Sequence, residues 1–191
     1  MHEMFNKEIK YIKNERVKNS LITMLDRLPD YFYSVPASST GKYHPSFSLG
    51  DGGLLRHTKA AVRIAIELFQ DESLNNFTDD EKDLLIMALT LHDGLKSGKT
   101  KSEYTLFEHP ILIAEYIKEN KKDLELTDEE VDFVCDAIIT HMGPWTKNYK
   151  GEEVLSPPTT KYQRFVHMCD YLASRKFLDI KFDKNNNIKD E

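Results

Sequence analysis

Two cysteines, one tryptophan and no long apolar run define what this 191-residue sequence does without. Cys135 and Cys169 form no CxxC pair and fall on core-like helical stretches. They read as small buried hydrophobes rather than as a disulfide or as metal ligands. No apolar stretch approaches the roughly 18 residues of a membrane span, and Met1-His2-Glu3-Met4-Phe5-Asn6-Lys7 lacks a signal-peptide pattern. The expectation is a cytoplasmic protein with no membrane partner. Positive charge is not in excess: 26 Lys and Arg against 32 Asp and Glu give a net charge of -6. That balance excludes adhesion to nucleic acid through the whole surface and leaves room for a local basic pocket. Repeats and low-complexity tracts are also missing. What remains is 40% hydrophobic and 30% charged, an ordinary globular balance. The length predicts a single domain, 1–191, able to bury its own core.

Helical periodicity dominates, so the predicted fold class is all-α, a helical bundle. Ile9, Ile12, Val17, Leu21, Leu25 and Leu28 predict one amphipathic helix from Asn6 to Leu28, ended by Pro29. The stretch from Tyr31 to Pro45 mixes aromatics with turn formers and reads as a long loop pinned by its rings. Helix and loop make up an N-terminal part, 1–51. A second helix follows Gly52-Gly53, and capping boxes at Thr78-Asp79-Asp80-Glu81 and Thr127-Asp128-Glu129-Glu130 open a third and a fifth. Pro110 suits the first turn of a fourth helix. A sixth is predicted from about Thr159 to Phe177. In the tail, 177–191, Phe177-Leu178-Asp179-Ile180-Lys181-Phe182 alternates before Asn185-Asn186-Asn187, a weak signal for a short β-hairpin.

Six residues stand out against this background: His57, His92, Asp93, His109, His141 and Asp170. Each of the four histidines lies at or near a predicted helix end, where side chains from several helices can converge. One such histidine is ordinarily a cap or a surface residue. Asp93 and Asp170 change the balance, because an aspartate among apolar neighbours needs partners to offset its desolvation, and cations supply them. Imidazole and carboxylate suit Mn, Fe, Ni or Zn, and a carboxylate has two oxygens with which to bridge two ions.

The order His57, His92-Asp93, His109, His141, Asp170 resembles the HD superfamily of metal-dependent phosphohydrolases, all-helical proteins named for the His-Asp pair. Gly52-Gly53-Leu54-Leu55-Arg56-His57-Thr58 and Leu91-His92-Asp93-Gly94-Leu95-Lys96 carry the likeness most closely, and it extends over about 52–175. It implies a binuclear centre with His57, His92, Asp93 and Asp170 on one divalent transition metal ion. Asp93 would bridge to a second ion completed by His109 and His141. A single-metal centre, with His109 and His141 touching substrate, is the alternative. Two cations roughly 3.5–4 Å apart polarise a phosphoryl oxygen and make a nucleophile from water at neutral pH.

Asp93 and Lys96 are the candidate catalytic residues, Lys96 because it follows the pair by one turn and matches a lysine often found there in this family. Lys96, Arg175 and His44 are the candidate substrate contacts. Lys99 and Lys101 read as solvated. His167, one turn before Asp170, reads as a core-edge residue or as a support for the ligands. Trp145, Tyr149 and the tyrosines near Tyr33 have the chemistry to stack on a nucleobase, although such aromatics commonly serve packing.

The function implied is a phosphohydrolase or phosphodiesterase. Its partner would be a small phosphorylated or nucleotide substrate, cyclic nucleotides included, or a short single-stranded nucleic acid. Two alternatives stand beside it: a mixed-valence di-iron oxygenase on the same ligands, and a non-catalytic metal-binding module. Phe47-Ser48-Leu49-Gly50-Asp51 lacks the Tyr and Glu associated with one oxygenase branch.

Overall fold

Helix α4 (Asp79–Leu91) is buried on all sides from Asp83 to Leu91, as a helix apolar around its whole circumference must be. The computed structural model describes residues 1–38, 41–176 and 180–189, and in it α4 is accompanied by further helices. They are α1 (Asn6–Ile9), α2 (Glu15–Arg27), α3 (Gly53–Gln70), α5 (His109–Glu119), α6 (Asp128–Ile139) and α7 (Lys161–Ala173). The architecture is all-α. α2, α3, α6 and α7 each contact α4, while α5 lies against α6. One contiguous core runs from Phe5 and Phe32 through Leu85, Met87 and Leu89 to Val134, Val166 and Cys169. Truncating a fully buried leucine such as Leu85 costs about 2–5 kcal/mol.

Local chemistry sets the helix starts. Thr78, Thr127 and Thr160 each accept from the backbone N–H three residues on, and Glu81, Glu130 and Gln163 return the bond. Each such cap contributes about 1 kcal/mol. The last helix begins after Thr160 and ends at Ala173, shorter than expected at both ends; Phe177 lies outside the described residues.

The single first helix expected over Asn6–Leu28 is instead two. The chain leaves the helix after Ile9 and re-enters at Glu15, capped by the Asn14 side chain. Asp83, buried on α4, accepts from the backbone N–H groups of Lys13 and Asn14 and so satisfies the break from across the fold. The aromatic loop is pinned as expected. Tyr31, Phe32 and Tyr33 are buried, and the Tyr31 hydroxyl donates to Gly98 O at 2.7 Å while accepting from Ser97 N. The expected hairpin reduces to one antiparallel bridge, Phe182 to Ile188, around Asn186 in the left-handed region; Phe177–Asp179 lie outside the described residues. Both cysteines are free and buried. Among the described residues no helix is long and apolar enough to cross a membrane.

Candidate metal centre

Five helices deliver side chains to one point. His57 stands in the second turn of α3, His92 is the residue after α4, and Asp93 follows in the turn. His109 opens α5, His141 lies just past α6, and Asp170 is in the last turn of α7. Gly94 makes the turn possible, since a Cβ there would stand 2.8 Å from Leu28 Cδ2 and 3.0 Å from Leu91 O. His57, His92, Asp93, His109 and His141 are essentially inaccessible to solvent, and Asp170 remains 17% exposed.

Ring orientation follows from the backbone. Nδ1 of His92, His109 and His141 lies 2.6, 2.7 and 2.9 Å from the carbonyl oxygens of Leu89, Leu106 and Ile138, each three residues earlier. A carbonyl only accepts, so Nδ1 carries the proton and the bare Nε2 of each neutral ring turns inward. Nε2 of His109 and of His141 are then 3.0 Å apart, and lie 3.0 and 3.6 Å from Asp93 Oδ1. On the other side, His92 Nε2 is 3.5 Å from both Asp93 Oδ2 and Asp170 Oδ1. His57 Nε2 is 2.9 Å from that Asp170 oxygen and 3.8 Å from Asp93 Oδ2. Acceptors therefore face acceptors. His92 Nε2 and Asp93 Oδ1 are buried without a hydrogen-bond partner, a costly condition that a cation removes.

Two groups of donors can each hold one ion: His57, His92 and Asp170, and Asp93, His109 and His141. Asp93 lies between them, with Oδ2 toward the first and Oδ1 toward the second. The electrostatics are those of a cation site. Burial works to raise the Asp93 and Asp170 carboxyls, but Lys96 on one and the hydrogen bond with His57 on the other hold both well below the ordinary range. Burial and the neighbouring imidazoles push His141 down to about 4.

A cavity of about 560 Å³ opens from this point to solvent, within the usual range for small-molecule sites. Each candidate substrate contact lines it. Lys96 Nζ pairs with Asp93 Oδ2 at 2.5 Å and still reaches the cleft. His44 sets its ring 5.7 Å from that of His57; its Nδ1 is buried without a partner, and burial lowers it to about 4. Arg175 rests on Ser174 Oγ and on the ring of Tyr171. Lys99 instead pairs with Glu119 at the surface, and Lys101 is exposed.

His167 is a support: its Nδ1 donates to the backbone carbonyl of His141 at 2.7 Å. Gly143, at φ +66°, leaves room for that ring, since a Cβ there would fall 2.1 Å from it. Among the aromatics, Tyr33 is core, donating to Leu25 O, and Tyr149 is exposed away from the cleft, whereas Trp145 lines it. Tyr171 was not expected at the site. The signal was present in the spacing, because 167 and 171 share one stripe of α7 and 175 follows four residues on, just past its end.

The sequence model of the HD domain matches residues 54–175, nearly two thirds of the chain. The protein belongs to the HD-domain family, whose members are generally metal-dependent hydrolases. Neither the curated proteins nor the solved structures compared with it include a match to this chain.

Proposed function

We propose that the protein is a metal-dependent phosphohydrolase or phosphodiesterase with two divalent transition metal ions. Its substrate would be a nucleotide, a cyclic nucleotide or a short single-stranded nucleic acid. His57, His92, Asp93 and Asp170 would hold one ion, and Asp93, His109 and His141 the other. The observation that carries this reading is the convergence of bare Nε2 atoms on a carboxylate whose two oxygens face opposite ways. An imidazole and carboxylate set suits Mn, Fe, Ni or Zn.

When bound, such a pair of cations polarises a phosphoryl oxygen and acidifies water. The chain's own groups do the rest. Asp93 bridges the two halves. Lys96, anchored on Asp93 and reaching the cleft, offsets charge on the substrate phosphate. Arg175 and His44, which line the same cleft, contact the remainder of the substrate. Leu89, Leu106 and Ile138 carbonyls hold three imidazoles in the productive tautomer.

The same donors accommodate iron, which keeps a mixed-valence di-iron oxygenase as the second reading. Metal analysis and electron paramagnetic resonance on anaerobically purified protein separate the two. With added Mn²⁺ a hydrolase releases p-nitrophenol from bis-p-nitrophenyl phosphate and nucleoside monophosphate from cyclic nucleotides or short oligoribonucleotides. A mixed-valence iron signal with no such release would overturn the hydrolase reading.

A further inference from the structure

The outer wall of the cleft carries a group of side chains that the metal chemistry does not use. Trp145 is 51% exposed although it sits beside a deep cavity. Its ring lies 6.0 Å from that of Tyr171 and nearly parallel, at 19°. The Arg175 guanidinium covers the Tyr171 ring at 4.3 Å and is held there by Ser174 Oγ. His167 meets the indole at an angle, 6.2 Å between centroids.

The wall is also tied to the centre. The His167 ring that braces Trp145 donates to the backbone carbonyl of His141. The indole is thereby linked, through the His167 ring, to the backbone that carries His141. An exposed aromatic with its flanking side chains already ordered binds a flat ring without an ordering cost at the moment of contact.

We infer that Trp145, backed by Tyr171 and Arg175, is the platform on which the base of a nucleotide substrate stacks while its phosphate reaches Lys96 and the metal centre. This rests on the hydrolase reading above and adds to it the residue that decides specificity. Three features fit a nucleobase better than another group. The indole offers a flat π-face of the kind on which bases stack irrespective of sequence. Trp145 and Tyr171 are too close for a ring to enter between them, so the ligand lies on the outer face of the indole. Arg175, over the Tyr171 ring on the wall of the same cleft, supplies a cation suited to a phosphate there.

Trp145 is the only tryptophan in the sequence, so the protein's intrinsic fluorescence reports on this one position. The experiment titrates metal-loaded protein with adenosine 5′-monophosphate, a short oligoribonucleotide, a cyclic nucleotide and base-free ribose 5-phosphate. In parallel it measures kcat and KM on the same four. Quenching by the base-bearing compounds but not by ribose 5-phosphate is expected, and the strongest of the three identifies a free nucleotide, a strand end or a cyclic ester as the source of the base.

Trp145→Ala should lower the preference for base-bearing over base-free substrate in kcat/KM by about 5- to 150-fold, the range one base–aromatic stack supplies. The loss should fall mainly on KM, and Trp145→Phe should keep most of the preference. Equal quenching by all four, quenching by none, or an unchanged preference in Trp145→Ala would overturn the platform. Hydrolysis without base preference sinks the platform alone. Base-specific quenching without hydrolysis of any phosphoester sinks the hydrolase reading alone.

Discussion

Helix α3 buries charge on both sides, and the two sides treat it differently. Toward α4 and α7 it presents His57 to the metal centre; away from them it presents Lys59, wholly buried, 3.4 Å from the buried Glu8 of α1 and over the ring of Phe5. At Glu8–Lys59 one acid faces one base, so the charges offset each other locally. Around Asp93 and Asp170 the neighbours are one lysine and four imidazoles, three of which turn lone pairs rather than protons toward the carboxylates. Buried charge that is balanced within the chain holds the N-terminal segment in place. Buried charge that converges with acceptors on acceptors leaves a place for a cation.

Mutation breaks this contrast most sharply at Asp93. Asp93→Ala should remove both ions and all turnover, read by metal analysis and p-nitrophenol release, whereas Lys59→Met should retain both ions. Next comes His109→Ala, expected to bind one ion where the wild type binds two, since it strips only the Asp93 Oδ1 side. Retention of two ions would show that the second group of donors is not a site.

Stability should respond at the other cluster. Lys59→Met strands Glu8 and should cost about 3–5 kcal/mol in urea unfolding, while Glu8→Leu with Lys59→Met should recover most of the loss. A double variant as unstable as the single one would contradict the balanced-pair account. Tyr31→Phe leaves Gly98 O and Ser97 N without their partner beside Lys96 and should cost about 1–3 kcal/mol, with metal content unchanged.

The smallest effect is one of pH. Asp170 is held well below 3.8, so the stability it contributes is fully present above 3.8 and is lost as pH falls below it. For metal-free protein, the gap between wild type and Asp170→Asn should therefore narrow below pH 3.8. Glu8, raised by burial, moves the other way: acid relieves its penalty. A gap that stays constant with pH would show that Asp170 is not held ionised by His57.

How far the sequence reveals these two regions depends on whether the determining contacts are local. Thr78 and Thr127 declare helix starts through bonds within one turn, Pro110 through its fixed φ, and all three were legible. The break at Lys10–Asn14 was not, because the group that satisfies it, Asp83, is some seventy residues away. The six site residues were legible as an ordered set through the family likeness. What no spacing discloses is that the two oxygens of Asp93 face opposite groups, or that Lys59, two residues from His57, pairs with Glu8. Trp145 was visible as an aromatic but not as a wall of the cleft, since a turn at Gly143 and the ring of His167 decide where it points.

The central claim is that two cations flank Asp93, and anomalous diffraction from crystals of the Mn²⁺-loaded protein tests it most directly. The account predicts two anomalous peaks, one beside His57, His92 and Asp170 and one beside His109 and His141, with an Asp93 oxygen on each. A single peak, or peaks away from these six side chains, would contradict it.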